Sequence, residues 1–298
     1  MAAGVALIGW AVYWAREPEY KGRTLSEWLV KRQHLTTMAE MEEADEALRG
    51  IGAPGVPWML QWLRGDELPW WKATIYATAN RLPPGLVRLK ALGFVPEPWL
   101  RAESASVMLY ALGRGATNAL PELFRILSGP TTKEVRGRAL CAIESLGGVA
   151  LPCLLVAISD TSHSNRVELI HIVGNLRVDA GPAVPVLVGC LRESSPAVVT
   201  EATRVLGVLK LEPALVVPEL VRGLTNLDSR VRASSAEALP SFGDAAKAAV
   251  PGLVVVLHDV DISARKAARG ALFTLAPKEL EKEESRMQEG PAGEQRVY

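Results

Sequence analysis

The sequence predicts an all-α chain, a right-handed α-solenoid of about seven stacked helix pairs. Three observations predict it. One phrase recurs six times: a small or aliphatic residue, an aliphatic residue, proline, then an apolar helix start. It reads Gly55-Val56-Pro57, Ala119-Leu120-Pro121, Ala150-Leu151-Pro152, Ala183-Val184-Pro185, Val216-Val217-Pro218 and Ala249-Val250-Pro251. The last four prolines are 33 residues apart and Pro121 precedes Pro152 by 31, a period that marks one supersecondary unit per repeat. Between prolines the apolar residues follow helical spacing with glycine or polar breaks, so each repeat reads as two helices, A and B.

Composition agrees and narrows the function classes. Hydrophobic residues make up 49% of the 298-residue chain, enough for a continuous core. Lys+Arg and Asp+Glu are equal at 33 each, with no dense basic run, which excludes a dedicated nucleic-acid binder. Cys141, Cys153 and Cys190 lack metal-type spacing and fall in predicted helices. They read as small buried hydrophobes. All eight tryptophans lie in the first hundred residues, so the amino-terminal part differs in kind from the rest.

Residues 1–18 come first. Residues 2–15 carry no charge, but at 1.5 Å per residue they span only about 21 Å, short of the hydrocarbon core. Trp10, Tyr13 and Trp14 cluster just before Arg16, as in an interfacial aromatic belt. A basic leader and an Ala-x-Ala site are missing, so a cleaved signal peptide fits poorly. The expectation is a single membrane anchor through residues 1–15, truncated if translation begins upstream of Met1. An apolar helix packed on the protein is the alternative. Localisation follows as membrane-anchored by the amino terminus, with the side undefined.

Residues 19–38 read as a capping segment. Pro18 ends any preceding helix. Thr24 and Glu27 form a capping box before Leu25, Trp28 and Leu29, which share one face. Thr37 and Glu40 repeat that spacing before a helix from Ala39 to Ile51. Residues 39–130 read as irregular Trp-containing repeats. The 64 residues between Pro57 and Pro121 accommodate a degenerate unit, with helix A near Trp71 to Leu82 and helix B from Pro84.

Residues 131–276 are the regular array. In the unit Asp228 to Leu257, Asp228 is the N-cap, and Val231, Ser235, Ala236, Leu239 and Phe242 make the buried side of helix A. Gly243 is the C′ residue. Pro251 opens helix B, where its missing N–H costs nothing, and Leu253, Val254 and Leu257 form the helix B stripe. The frame also fits Val198, Ala202, Val205, Leu206 and Leu209, and Val135, Ala139, Ala142, Ile143 and Leu146. Further frames start at Asn165 and Ala264. Thr131 with Glu134 reads as a third capping box and Ser195-Pro196 as an N-cap and N1 pair. Pro240 sits late in a helix A, so a kink or early end is expected there. Residues 277–298 read as a polar cap or tail, with Glu281, Glu283 and Glu284 on a solvated face.

At these residues the chain resembles HEAT-repeat proteins, especially the short-unit bacterial type grouped with bilin-lyase-like repeats. Val231-Arg232, Ala236, Ala238-Leu239 and Gly243-Asp244-Ala245-Ala246-Lys247-Ala248-Ala249-Val250-Pro251-Gly252-Leu253 carry the likeness, with Val198, Ala202 and Val205-Leu206-Gly207. It covers roughly residues 39 to 276. The Tyr20 to Leu29 segment after an apolar start resembles the amino-terminal element of an uncharacterised membrane-anchored subgroup. The consensus arginine stands as Arg136, Arg166, Arg232 and Arg265, but Val199 replaces it in one repeat, so a continuous Asp–Arg ladder is broken.

Catalytic chemistry is sought and not found. His34, His163, His171 and His258 have no metal-ligand spacing. Deoxyhypusine hydroxylase also uses HEAT-like repeats, and its iron site resembles paired His-Glu dipeptides. Here Leu35, Ser164, Ile172 and Asp259 follow the histidines, so that resemblance stops at the fold. No catalytic, cofactor-binding or metal-binding residue is assigned.

Trp58 and Trp62 are the candidate partner-binding residues. They stand i, i+4 on the first helix B, beside an expected buried stripe of Met59, Leu60 and Leu63. The resemblance implies that helix B faces line the concave side. The pair then reads as an aromatic anchor for a protein partner, or as packing beneath the capping helix of Leu25, Trp28 and Leu29. The functional expectation is a non-catalytic, membrane-tethered, bacterial protein-binding scaffold that uses no cofactor. A bilin-lyase-like or chaperone role on a cofactor-bearing partner is one alternative, and an envelope structural protein is another.

Overall fold

The computed structural model describes residues 17–33, 37–64, 98–176 and 180–289. The expected anchor at residues 1–15, the degenerate unit at Trp71–Leu82 and Pro84, and residues 290–298 lie outside the described residues. The described chain is helical but for one two-stranded ribbon, and divides into two compact units, residues 1–150 and 151–298.

In the first unit a ribbon, β1 (Glu19–Tyr20) and β2 (Arg23–Thr24), leads into α1 (Leu25–Gln33). Four links pin this entry. The Thr24 and Glu27 backbone N–H groups donate to each other's side chains at 2.7 and 3.3 Å, the capping box read from sequence. Glu17 accepts from the Ser26 backbone N–H at 3.0 Å. The Trp28 indole N–H donates to the Tyr20 carbonyl at 3.0 Å, while Lys31 and Arg23 lie 4.9 and 5.2 Å from its ring centroid. Tyr20 in turn lies flat on Gly50: a Cβ there would sit 2.3 Å from Tyr20 Cε2.

Helices α2 (Met38–Ile51), α3 (Val56–Leu63), α4 (Pro98–Leu112), α5 (Leu120–Ser128) and α6 (Lys133–Ser145) complete the unit. Thr37 and Glu40 close the capping box of α2. Helix α1 covers α2. Both α2 and α3 pack directly against α4, and α4 and α5 pack against α6. At α6 the capping residue is Thr132, whose hydroxyl accepts from Val135 N–H at 3.3 Å. The Thr131–Glu134 box expected from sequence is therefore off by one residue. Both neighbours are threonine, and only the chain path chooses between them.

In the second unit, helix A elements α8 (Arg166–Asn175), α10 (Pro196–Leu209), α12 (Ser229–Ala238) and α14 (Ile262–Leu275) stack in order. The helix B elements are α7 (Leu151–Ser159), α9 (Val184–Cys190), α11 (Pro213–Gly223) and α13 (Val250–Leu257). Val198, Ala202, Val205 and Leu206 of α10 are buried, as are Val231, Ala236 and Leu239, and Ala268, Ala271 and Leu272. The repeat frame places these layers correctly. Close approach explains the small residues: a Cβ on Gly174 would lie 2.9 Å from Val205 Cγ2.

Most helix B elements follow a 3₁₀ stretch, and Gly113, Gly147 and Gly243 enter three of these with φ between 52° and 61°. Helix α12 ends at Ala238, two residues before Pro240, as the missing N–H requires. Phe242 consequently lies half-buried in the 3₁₀ segment instead of on helix A. Residues 229–257 are together long and apolar enough to cross a membrane by length and composition. The non-helical Gly243 (φ 53°, ψ −129°) breaks them into two separate helices.

Other expectations are corrected. Pro218 does not open helix B. Lys210 and Glu212 take left-handed conformations, so α11 starts at Pro213 and carries Pro218 inside it. Ser195 occupies the N-cap of α10 without a side-chain cap bond. Cys190 is buried, and burial pushes its thiol up to about 11, but Cys141 and Cys153 are exposed. The polar segment after residue 276 is helix α15 (Pro277–Glu289), packed on α14 with Leu280 and Glu283 buried. Glu283 therefore leaves the solvated face assigned to it.

Two of the arginine positions, Arg166 and Arg232, act as layer ties. Arg232 donates through Nη1 to the Asn226 and Leu227 carbonyls at 2.8 and 3.0 Å, and through Nη2 to Asp259 at 2.7 Å. Arg265 repeats the first half on Asp259 and Val260 at 2.7 and 3.1 Å. Arg166 bonds the Ile158 carbonyl at 2.7 Å and Glu193 at 2.6 Å. Arg166 joins the end of α7, and Arg232 the loop entering its layer, to an acid 27 residues on. In the repeat where Val199 replaces the arginine, that acid is Asn226, so both halves of the tie are missing together.

The Arg166 hydrogen bond holds the Glu193 carboxyl below its ordinary 4.5. A depressed folded value gives stability that is present above pH 4.5 and lost as pH falls through the folded value. Glu193→Gln is expected to cost about 1.5 kcal/mol at pH 7 and to flatten the loss of stability below pH 4.5. Urea midpoints measured from pH 3 to 7 check both effects.

Candidate functional site

The 33-residue period gives the second unit a repeated exposed row. On helix B, Leu154, Leu187, Leu220 and Leu253 all face the core. Two residues further on, Val156, Gly189, Arg222 and Val255 all face solvent. Val156 and Val255 are 74% and 70% exposed. Adjacent elements of the row are in register: α7, α9 and α11 pack in sequence, and a Cβ on Gly252 of α13 would lie 2.9 Å from Leu224 Cδ1 at the end of α11.

A charged cluster stands mid-row. Arg192 Nε donates to Glu219 Oε1 at 3.0 Å, and Arg222 Nη2 lies 2.7 Å from Glu219 Oε2. The two arginine side chains are 59% and 56% exposed, whereas the Glu219 side chain is 13% exposed. The Glu219 carboxylate raises Arg192 further above its ordinary value. Two outward cations thus share one inward anion.

In the first unit, Val56, Met59, Trp62 and Leu63 of α3 are buried, and Trp58 and Leu60 are half-buried. Trp62 is only 6% exposed, so this indole lies in the core while Trp58 keeps one side in solvent. The expected stripe is corrected accordingly: Trp62 takes the place given to Leu60. Helix α4 packs along α3, and the capping helix α1 lies chiefly on α2.

The histidines are engaged locally. His171 Nδ1 lies 2.9 Å from Glu201 Oε1 and 3.0 Å from Arg204 Nη2. His258 Nε2 lies 4.0 Å from Glu283, and His34 lies outside the described residues. Among the described residues no group of three or more His, Cys, Asp or Glu side chains could hold a metal ion. Sequence reasoning missed the Arg192–Glu219–Arg222 cluster. Its signal was present: Arg192 and Glu219 have the same 27-residue offset as Arg166–Glu193 and Arg232–Asp259.

No protein-family model and no curated protein matches the chain. Solved structures that match include human deoxyhypusine hydroxylase in complex with glycerol, 19% identical, covering 84% of this chain and 83% of that one at a TM-score of 0.35. An engineered protein is 21% identical over 84% of this chain and 95% of its own, at a TM-score of 0.31. The complex of CpcE and CpcF of phycocyanin lyase from Nostoc sp. PCC7120 is 19% identical over 87% and 97%, at a TM-score of 0.29.

Proposed function

We propose that this chain is a non-catalytic scaffold whose helix B row in the second unit holds a protein partner. The observation that carries the reading is the row itself. Four helices present Val156, Gly189, Arg222 and Val255 at one repeat position, with two large aliphatic side chains left in water. Apolar groups rimming fixed charges at a regular spacing suit an extended macromolecular contact. In the first unit, half-buried Trp58 is a separate aromatic group of the kind that anchors partners. The reading keeps the tether through residues 1–15, supported by their charge-free sequence and its Trp10, Tyr13 and Trp14 end.

Photocrosslinking tests the reading. A benzophenone side chain at Val156 or Val255 is expected to trap the same partner in membrane fractions of the native cell. One at Glu237, exposed on α12, is expected to trap none. Deletion of residues 1–18 is expected to move the folded protein out of the membrane pellet. Adducts at Glu237 with none at the valines would overturn the scaffold reading.

A further inference from the structure

We infer that the helix B row of the second unit selects an acidic segment with aliphatic flanks. The inference rests on the scaffold reading and names the partner's chemistry. The charge balance comes first. Around Glu219 stand Arg192 and Arg222, so the cluster carries one net positive charge, and its cations are the exposed members. A guanidinium offers five N–H donors, and Arg192 spends its Nε and Nη2 edge on a single oxygen of Glu219. A carboxylate approaching from solvent meets two preoriented guanidinium groups, a geometry suited to charge-assisted hydrogen bonds.

The second observation is where this pair sits. The comparable pairs Arg166–Glu193 and Arg232–Asp259 have largely buried arginines, bound also to backbone carbonyls. In the layer of α10 and α11 that tie is missing at Val199 and Asn226. The same 27-residue pairing reappears at Arg192 and Glu219, with its arginine turned outward. Packing no longer occupies this arginine.

The flanks set the rest of the ligand. Beside the cluster, a Cβ on Gly189 would touch nothing within 4 Å, so the surface is open there. Val156 and Val255 stand at the two ends of the row. Neighbouring helix axes lie roughly 8–10 Å apart, so the row is about 25–30 Å long. That is the reach of an extended segment of about nine residues. The occupant is a peptide segment with acidic residues at its centre and aliphatic residues on each side.

Fluorescence anisotropy with the full chain tests this. The probe is a fluorescein-labelled peptide of about twelve residues, with a central Asp-Asp pair flanked by leucines. The expected result is saturable binding that weakens with salt and is ~10-fold weaker for the matching Asn-Asn peptide. Arg192→Gln with Arg222→Gln is expected to abolish the difference between the peptides. Glu219→Gln removes the internal anion and is expected to tighten the acidic peptide ~5-fold, an effect that loss of structure cannot produce. Equal binding of both peptides, preference for a Lys-Lys version, or a Glu219→Gln protein that folds and binds no tighter would each overturn the inference. So would self-association in light scattering that the double arginine variant removes, since another copy would then hold the row. Persisting crosslinks at Val156 and Val255 in any of these cases would leave the scaffold reading standing; their loss would remove both.

Discussion

Leu206→Asp is expected to unfold the stack around α10. Leu206 has no exposed surface, and the aligned Leu239 and Leu272 have none either. Helix α10 packs against α8 on one side and α12 on the other. A carboxylate there lies in an apolar layer and either stays charged without a partner or takes up a proton at a high pKa. Both routes cost several kcal/mol, of the order of a whole domain's stability of about 5–15 kcal/mol. In a repeat array each layer is stabilised by its neighbours, so the damage spreads to them. Limited proteolysis is expected to cut between about residues 190 and 225 in the variant and to spare that stretch in the parent. Unchanged protection would mean that the repeat register is wrong.

The two tryptophans of α3 are expected to separate. Trp62→Ala empties a core site beside Met59 and Leu63 and is expected to cost about 3–5 kcal/mol. Trp58→Ala removes a half-buried ring and is expected to cost under about 1 kcal/mol. Urea denaturation of the two single variants measures the difference. Equal losses would make Trp58 a packing residue as well, and Trp58 would leave the candidate surface. A cheap Trp62→Ala would move that indole out of the core.

The layers were legible in the sequence because their signal is local and repeated. Leu206, Leu239 and Leu272 share a spacing that only a helix pair of fixed length supplies, and all three are buried. Caps were legible at Thr24 and Thr37, where Glu27 and Glu40 close the box, and misplaced by one residue at Thr131, because the helix is capped by Thr132 without a glutamate at N3. Pro218 misled because its phrase matched the other repeats. The deciding event was upstream, in the left-handed Lys210 and Glu212 that let α11 start early. The candidate surface was harder to see. Whether a tryptophan or cysteine on a helix points in or out depends on which neighbour crosses it: Cys153, expected inside, is exposed, and Trp62, for which packing and partner contact were both open, is buried. The Arg192–Glu219 pairing needed a residue-to-residue offset, which a search for short motifs does not test.

The displaced tie at α10 and α11 gives the stack uneven mechanics. Layers held by Arg166 and Arg232 are clamped from within, through backbone carbonyls and sheltered acids. The layer with Val199 and Asn226 is strapped on its outside instead, by Arg192 on Glu219. An outside strap bears load only while its ends stay paired. On the acidic-segment reading, a visiting carboxylate would compete with Glu219 for Arg192 and would loosen that strap. On that same reading, occupancy of the row and the looseness of this joint would be coupled through a single guanidinium.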